Sequence, residues 1–285
     1  SGALQWRRLA GNRSFMSHGQ EFIPLSTPLL DGREKEYLAD CVNSGWVATG
    51  KYVQGFENAV SGYIGANGAV AVSNGTAALH IALKLLDIGP GDAVICPSLT
   101  FVASTNAITY TGARPIFLDS NQDNWGLDPK ALEQYLDFKC DFNGDGPPTE
   151  RQYGLKIRAV MVVHLYGHPA DMGPILKTAS HFGVPIVEDA SESLGSKYQE
   201  AFTGVLGQIG CLSFNGNKTL TSGGGGMLVS QDADLLDRAR LLTNQAKDAG
   251  DEFFHSEVGY NYRLSNLHAA VGLAQFEQLD GFISS

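Results

Sequence analysis

The 285-residue sequence has few cysteines and few positive charges. Its four cysteines stand far apart without a C-x-x-C pair, which argues against a zinc ribbon and a small disulfide scaffold. Twenty Lys and Arg oppose thirty Asp and Glu, for a formal net charge of −10. Such a chain is poorly suited to bind phosphate backbones. We therefore expect no nucleic-acid partner, and we predict no metal site.

The chain also lacks a long uninterrupted apolar run. Its most apolar stretch, residues 68–86, contains several polar residues, whereas a membrane-spanning helix needs about twenty mostly apolar residues in succession. Residues 1–21 carry arginines but neither the apolar segment nor the cleavage site of a signal peptide. We expect them to be an N-terminal extension, or an upstream remnant ahead of a start at Met16. These absences, with the unpaired cysteines, predict a cytoplasmic protein with no membrane partner.

Two common catalytic signatures are absent as well. No G-x-S-x-G occurs, so the nucleophile elbow of a serine hydrolase is not expected. The segment Gly216-Asn217-Lys218-Thr219 lacks the G-x-x-x-x-G-K-[ST] spacing of a P-loop. The sequence therefore predicts neither a serine hydrolase of this type nor a P-loop nucleotide-binding protein.

What the sequence does have is an alternation of short β-branched runs and stretches with helical apolar spacing, from residue 69 onward. The predicted strands are 69–73, 93–96, 115–119, 159–164, 185–189, 210–214 and 226–230. The predicted helices are 32–42, 53–63, 76–86, 100–110, 128–136, 171–182, 233–242 and 264–279. This order predicts an α/β fold with a mostly parallel central sheet sandwiched by helices.

One segment, residues 137–153, interrupts the alternation with Gly, Pro, Asp and Asn, and is expected to be a surface insertion. Its start, Asp141-Phe-Asn143-Gly-Asp145, resembles that of an EF-hand loop. However, Gln152 stands where that loop needs a bidentate Glu. The sequence favours a solvated turn over a calcium site.

A strand-to-helix turn carries the first motif of chemical interest, Ser73-Asn74-Gly75-Thr76. At a helix N-terminus, the backbone N–H groups of Gly75 and Thr76 could hold a phosphate. The same residue types also suit ordinary helix capping. The motif alone does not decide between the two.

An acidic pair, Glu188-Asp189, ends another predicted strand, at the sheet edge where α/β proteins bind ligands. Such a carboxylate could cap a helix or pair with a lysine. It could also face the protonated ring nitrogen of a cofactor, where opposite charges 4 Å apart attract by about 4 kcal/mol at an effective dielectric constant of 20. This attraction would keep the nitrogen protonated.

Lys218 follows a third strand and precedes four consecutive glycines, residues 223–226. Glycines let the backbone pass close to a ligand. A lysine near cationic or apolar groups loses its proton readily enough to form an imine. A phosphate turn, an acid at a strand end and such a lysine are the groups that pyridoxal 5′-phosphate (PLP) requires.

The order of the motifs adds a specific resemblance. The motifs are N-G-T-A-A-L, P-x-x-T-F-V-A-S, V-H-L-Y-G, E-D-A, S-F-x-x-x-K, G-G-G-M and G-Y-N-Y-R-L. In this order they resemble the DegT-type nucleotide-sugar aminotransferases of PLP fold type I, from about Phe22 to Leu279. The resemblance implies a PLP-binding large domain over residues 22–280, followed by a truncated tail, 281–285.

The resemblance implies catalytic roles for two residues. Lys218, in S-F-N-G-N-K, would form the Schiff base with PLP and then move a proton between the cofactor and the sugar carbon. Asp189, in E-D-A, would face the pyridinium nitrogen and keep the ring an electron sink. Phe101, in L-T-F-V-A-S, would stack on the ring.

The resemblance also implies a phosphate site and an assembly. Gly75, Thr76 and Ser213 match the phosphate ligands of the family. Asn261, in G-Y-N-Y-R-L, matches an asparagine that the neighbouring subunit supplies to the same phosphate. A homodimer with shared active sites is therefore expected.

Two features depart from the family. Many relatives have Gln where Glu192 stands and His where Leu194 stands, so Glu192 would need a shared proton to contact the 3-hydroxyl of the cofactor. Relatives also continue into a small C-terminal domain, whereas this chain stops at Ser285. We expect that domain to be missing.

The segments E-S-L-G-S, F-N-G-N-K and N-Q-A-K-D are most similar to the branch that aminates C4 of UDP-4-keto-6-deoxy-N-acetylhexosamines, on the way to bacillosamine-type or legionaminic-type sugars. The resemblance thus implies transfer of an amino group, from glutamate, to C4 of a nucleotide-linked 4-keto-6-deoxy sugar, for cell-surface glycan or natural-product synthesis. Two alternatives stay open. One is a PLP sugar dehydratase, which Lys218 disfavours because that group has His in its place; the other is a truncated, inactive homologue with a binding or regulatory role.

Several single residues have two interpretations each. His164 and Tyr166, in H-L-Y-G, are expected to close a strand near the predicted cofactor, where His164 could be functional or a packed, hydrogen-bonded core residue. Trp46, Thr49 and Lys51 could contact the nucleotide sugar or only build a loop. Arg263 could pair with a substrate phosphate or with a carboxylate across the dimer.

Overall fold

A computed structural model of the chain describes residues 24, 26–248 and 254–285. The predicted N-terminal extension, residues 1–21, and the start of the resemblance at Phe22 lie outside the described residues. Within the described ranges, no helix has both the length and the hydropathy needed to cross a bilayer.

A twisted sheet forms the centre of the fold. In chain order the strands are β1 (Gly68–Val72), β2 (Asp92–Pro97), β3 (Arg114–Leu118), β4 (Cys140–Asp141), β5 (Thr149–Glu150), β6 (Lys156–Val163), β7 (Ile186–Asp189), β8 (Lys197–Tyr198), β9 (Ala201–Phe202), β10 (Ile209–Ser213) and β11 (Gly226–Ser230). The main path across the sheet is β1-β11-β10-β7-β6-β2-β3. The short strands β8 and β9 pair separately.

The sheet is mostly parallel, as the sequence predicts. Strands β10, β7, β6, β2 and β3 pair in parallel along the path. On this path of the described strands, β11 pairs antiparallel with both its neighbours, β1 and β10. The parallel strands bring their carboxyl ends to one edge of the sheet, which is where a ligand site is expected.

The helices cover both faces. They are α1 (Glu34–Ser44), α2 (Lys51–Ile64), α3 (Gly75–Leu85), α4 (Val102–Tyr110), α5 (Pro129–Lys139), α6 (Met172–His181), α7 (Ala233–Thr243), α8 (Asn266–Phe276) and α9 (Leu279–Ser284). Alternate strand residues point to opposite faces. Val70 belongs to one apolar cluster, with residues of α3, α4 and α7, whereas Ala69 belongs to a second, with residues of α1, α2 and α8. A third apolar cluster lies under α5 and α6.

The structure corrects two details of the predicted elements. The single closing helix predicted over 264–279 is two helices, α8 and α9, separated by Glu277 and Gln278. The predicted tail, 281–285, is mostly the end of α9. Apolar spacing continues across the break, so the pattern could not show it.

The predicted insertion, 137–153, lies mainly at the surface but is more ordered than a loop. It contains the end of α5 and the antiparallel pair β4 and β5, and Thr149 of β5 pairs with Lys156 of β6. Asp141 pairs with Arg151 at 2.8 Å, and Asn143 Oδ1 accepts a hydrogen bond from the Asp145 N–H. The strands were missed because two residues are too short to show alternation.

Candidate active site

The carboxyl ends of β1, β6, β7 and β10 and the segment after β2 open onto one cavity of about 300 Å³. Seven of the eight residues predicted for the site line this cavity: Gly75, Thr76, Phe101, Asp189, Glu192, Ser213 and Lys218. The eighth, Asn261, does not line it. The fold therefore brings together residues from four separate motifs.

The N-terminus of α3 forms one end of the cavity. Asn74 caps the helix, because its Oδ1 accepts a hydrogen bond from the Ala77 N–H at 2.8 Å. In the described part of the chain, the N–H groups of Gly75 and Thr76 have no hydrogen-bond acceptor. Ser213 faces this turn, 2.8 Å from where a Cβ on Gly75 would lie. Free donors at a positive helix end suit an anion such as phosphate.

Gly226 packs directly against the backbone of this turn. It pairs with Val72 on one side and Ser213 on the other. A Cβ at this position would lie 2.5 Å from the carbonyl carbon of Asn74 and 2.7 Å from the nitrogen of Gly75. The fourth glycine of the run is thus required by close backbone approach, a role that the sequence suggested only in general terms.

Asp189, the last residue of β7, points into the cavity from a nearly buried position, with 6% of its surface exposed. Its Oδ2 accepts from the Ser104 hydroxyl at 2.7 Å, and its Oδ1 accepts from the Ser191 N–H at 3.2 Å. Hydrogen bonds to a carboxylate favour its charged form. No cationic side chain of the described residues pairs with Asp189. This buried carboxylate suits a positively charged ligand atom.

Glu188 points to the other side of β7 and is fully buried. Its carboxylate accepts from the N–H groups of Gly204 and Leu206 and lies 2.9 Å from His164 Nε2. His164 Nδ1 accepts from the Ala170 N–H, so the ring proton is on Nε2 and is donated to Glu188. His164 borders the cavity, but both its ring nitrogens hold the structure together, which favours the core interpretation.

Lys218 brings an amine into the same cavity. Its Nζ lies 2.9 Å from Glu192 Oε1, and the lysine side chain is only 16% exposed. The other carboxylate oxygen of Glu192 accepts from the backbone N–H of Tyr166 at 2.8 Å. The structure places its two oxygens on Lys218 and Tyr166. A contact of Glu192 with a cofactor hydroxyl stays a prediction.

Phe101 lies on the open side of the cavity. It precedes α4 in an extended conformation, and its side chain is 75% exposed. An aromatic ring at a cavity mouth offers a face on which a flat ligand can stack.

Asn261 lies outside the cavity of its own chain. It is exposed and forms a bridge with Asn244. Its neighbours Tyr260 and Tyr262 stack with ring centroids 5.2 Å apart, and His80 packs against Tyr260. Asn261 is thus exposed, while the aromatic residues on either side of it are well packed.

The other candidates fall outside the cavity lining. Lys51 pairs with Asp40 at 2.9 Å, which favours a structural role. Trp46 is largely exposed on a loop that Asn266 holds through a hydrogen bond to the Trp46 carbonyl oxygen. Arg263 contacts Asn244.

The role of Ser104 and the backbone contact of Tyr166 were missed by sequence reasoning. Ser104 is fully buried and holds Asp189, and Thr100 lies 2.8 Å from the Ser104 hydroxyl. The backbone of Tyr166 contributes through its N–H. Ser104 stands within the quoted motif T-F-V-A-S, so its spacing after Phe101 was the available signal. Nothing local indicated the Tyr166 contact.

The groups that line the cavity fit PLP. Free N–H groups and Ser213 offer a site for a phosphate, Asp189 a partner for a ring nitrogen, and Lys218 an amine for an aldehyde. The fold and this set of groups define an α/β protein of the PLP-dependent aminotransferase type. The chain belongs to the DegT/DnrJ/EryC1/StrS aminotransferase family, whose model matches residues 28–285.

Known proteins agree with this assignment. EpsN of Bacillus subtilis (strain 168), named as a pyridoxal phosphate-dependent aminotransferase, is 45% identical over 259 residues, which cover 90% of this chain and 64% of EpsN. A GDP-perosamine synthase of Escherichia coli O157:H7 is 43% identical over 93% of this chain and 68% of its own length. A DegT DnrJ EryC1 StrS aminotransferase from Brucella abortus has a similar structure, with a TM-score of 0.80, 30% identity, and coverage of 87% of this chain and 64% of that chain.

These comparisons confirm the family resemblance, the fold and the cofactor class. The family and the name of EpsN identify PLP as the cofactor. The chain spans 64% to 68% of the length of the two sequence relatives. The predicted branch, with its UDP-linked sugar, stays a prediction.

Proposed function

We propose that this chain is the cofactor-binding portion of a sugar aminotransferase, which transfers an amino group from glutamate to C4 of a nucleotide-linked 4-keto-6-deoxy sugar. The observation that carries the proposal is one cavity lined by the Lys218 amine, the buried Asp189 carboxylate and the N-terminus of α3. The relatives named as aminotransferases and as a perosamine synthase support a sugar substrate.

Lys218 is the proposed catalytic residue. When bound, PLP supplies an aldehyde that condenses with amines and a ring that withdraws electrons. The Lys218 amine would hold that group through a covalent bond. As a free amine, Lys218 would be placed to move a proton to or from the substrate carbon. A histidine, which the dehydratase alternative requires here, could not form the covalent bond.

Asp189 is proposed to hold a proton on the ring nitrogen. The carboxylate is buried and oriented by the Ser104 hydroxyl and the Ser191 N–H, so its charge acts across a region of low dielectric constant. Phe101 is proposed to stack on the outer face of the ring and to exclude water from it.

The phosphate is proposed to bind at the N-terminus of α3. The N–H groups of Gly75 and Thr76 and the Ser213 hydroxyl are the donors, and the helix dipole adds about 0.3–1 kcal/mol. This end therefore anchors the cofactor, while the other end carries out the chemistry.

Asn261 is proposed to complete the phosphate site of a second subunit. It is exposed and lies outside its own cavity, which supports a role in a homodimer. If so, association and PLP binding strengthen each other. Sedimentation and absorbance on one dilution series test this. Release of PLP on dissociation, and weaker binding in Asn261→Ala, are expected; a monomer that keeps PLP fully contradicts the shared site.

The substrate is tested by half-transamination. PLP-loaded protein is first converted to its amine form with glutamate and then offered UDP-, GDP- and dTDP-linked 4-keto-6-deoxy sugars, with mass spectrometry of the products. We expect a mass corresponding to replacement of the keto oxygen by an amino group, with the UDP-linked N-acetylhexosamine converted fastest. Conversion of a GDP- or dTDP-linked sugar alone would contradict the predicted branch, and conversion of none would contradict the function.

A cytoplasmic location is proposed on the basis of the cysteines. Cys41, Cys96, Cys140 and Cys211 are free and buried. Burial raises the pKa of Cys96 to about 12 and that of Cys140 to about 11, which keeps these thiols protonated and unreactive. Fractionation of cells that express the protein tests the location; recovery outside the cytoplasm would contradict it.

A further inference from the structure

The carboxylate of Glu192 joins two parts of the molecule. One oxygen lies 2.9 Å from the Lys218 ammonium, and the other accepts from the Tyr166 N–H at 2.8 Å. Glu192 is 26 residues from each of these partners along the chain, on opposite sides. It thereby links the segment after β10 to the turn after β6.

The turn that contains Tyr166 needs this support. It is a short 3-10 turn, Leu165–Gly167, in which Tyr166 has φ 52° and ψ 28°. Side-chain-bearing residues adopt this left-handed conformation rarely, and surrounding contacts must hold it. Gly167 packs so closely that a Cβ there would lie 2.9 Å from the Glu192 carbonyl oxygen. The side chain of Glu192 therefore holds the turn, and its backbone lies directly against it.

The two ends of this contact differ in exposure. The side chains of Lys218 and Glu192 are 16% and 31% exposed, so their ion pair is only partly screened by water. Tyr166 is 82% exposed, whereas its neighbour Leu165 lines the cavity. A change in the Tyr166 turn therefore alters the cavity wall next to the amine.

We propose that Glu192 is a positioning residue that fixes the Lys218 amine and the Tyr166 turn together, so that loss of either partner loosens the other. The proposal deepens the function proposed for Lys218 and rests on it for the importance of the amine. The coupling itself is a property of the chain without cofactor. It can therefore be tested apart from the reaction.

The first test is hydrogen exchange of the Tyr166 amide in the cofactor-free chain. The Glu192→Ala variant removes the acceptor, and we expect exchange to become about tenfold faster. The Lys218→Ala variant leaves the acceptor but frees the carboxylate to turn toward water, and we expect faster exchange as well. Glu192→Gln keeps an acceptor and is expected to remain nearer to the wild type.

Matched controls separate coupling from general loosening. Lys177→Ala removes an exposed lysine on α6 and should leave the exchange of Tyr166 unchanged. Amides of the central strand β6 should stay protected in every variant. If Lys218→Ala exchanges like the wild type while Glu192→Ala exchanges fast, the two contacts are independent and the proposal is wrong. Unchanged exchange in Glu192→Ala also overturns it.

The second test follows the placement of the Lys218 amine. The amine adds to the aldehyde of PLP, a C=N bond forms and one water leaves. Borohydride reduces this bond by hydride addition, and peptide mass spectrometry locates the label. The initial rate of labelling at Lys218, at one fixed pH, therefore reports how well the amine is placed.

Glu192→Ala removes the partner that holds the amine, so Lys218 should be labelled about tenfold more slowly. Glu192→Gln keeps a hydrogen-bond acceptor and should restore most of the rate, which a general loss of structure would not allow. Glu200→Ala removes an exposed glutamate and should not change the rate. A wild-type rate in Glu192→Ala contradicts the positioning role, whereas absence of label on wild-type Lys218 contradicts the proposed function instead.

Discussion

The two ends of the cavity are built in different ways. At the phosphate end, the position of the backbone determines the geometry. Asn74 caps α3, and Gly226 lies too close to that turn for any side chain. At the amine end, side-chain contacts determine the geometry, because Lys218 is held by Glu192, which also holds Tyr166. The geometry of the phosphate end thus depends on close backbone packing, and that of the amine end depends on an ion pair.

This difference predicts how each end responds to substitution. A change at Lys218 should abolish catalysis and a change at Asp189 should lower it, and both should leave the fold intact. A change at the phosphate end should weaken cofactor binding and stability together, because the same backbone contacts support both. Substitutions at both ends can therefore separate the two contributions.

The largest effect is expected at Lys218. Lys218→Ala and Lys218→Arg should abolish catalysis and covalent PLP binding, since neither side chain can form the imine. The melting temperature should stay within a few degrees of the wild type, because among the described residues the Lys218 amine pairs with Glu192 alone. The variants are compared with Lys177→Ala by activity assay and thermal melting. Catalysis that persists in both would identify another lysine as the reactive one.

A smaller loss is expected from Asp189→Asn. An amide cannot stabilise a positive ring nitrogen, so we expect turnover to fall about a hundredfold and PLP to be held less tightly. Steady-state kinetics and PLP titration measure both. Asp87→Asn, at a surface aspartate paired with Arg238, is the control. Wild-type rates in Asp189→Asn would refute the assigned role.

At the phosphate end, Gly226→Ala should destabilise the fold by about 1–3 kcal/mol, because the new methyl group would overlap the backbone of Asn74. The displaced turn should also weaken PLP binding about tenfold or more, as anchoring donors are lost. Gly224→Ala is a matched control, since nothing lies within 4 Å of its added Cβ. Denaturant unfolding and PLP titration test both; equal behaviour of the two variants would exclude the close-approach role.

The smallest effect is expected from Asn74→Ala. Loss of the cap should lower the free energy of unfolding by about 1 kcal/mol and weaken PLP binding only slightly, because Gly75 and Thr76 keep their N–H groups. Asp128→Ala removes a comparable cap from α5, away from the cavity. It should cost similar stability without any effect on PLP. A large loss of PLP binding in Asn74→Ala would mean that the Asn74 side chain itself contacts the phosphate.

The phosphate end was also the easier one to predict from sequence. A strand that ends in Asn74 and Gly75 and passes into a helix is a local pattern, and it fixes where the free N–H groups lie. The main strands were predictable for a similar reason, since each shows apolar residues over its own length. Asp189 was found because it ends a strand at the ligand-binding edge, and Lys218 because it lies a few residues beyond the end of another.

The amine end could not be predicted in the same way. Glu192 reaches Tyr166 only because that residue adopts a left-handed conformation, which no local pattern of the sequence indicates. Ser104 reaches Asp189 across two separate elements. Such contacts depend on the packing of distant segments. The role of Asn261 stays a prediction, since it depends on a second subunit.

Peptide mapping after borohydride reduction of the PLP-treated wild-type chain tests the central claim most directly. The cavity brings the Lys218 amine, the Asp189 carboxylate and the N-terminus of α3 together. We therefore predict a single label, on Lys218, at PLP concentrations near that of the protein. Labels distributed over exposed lysines, with Lys218 unmodified, would contradict the claim that this cavity is a PLP site.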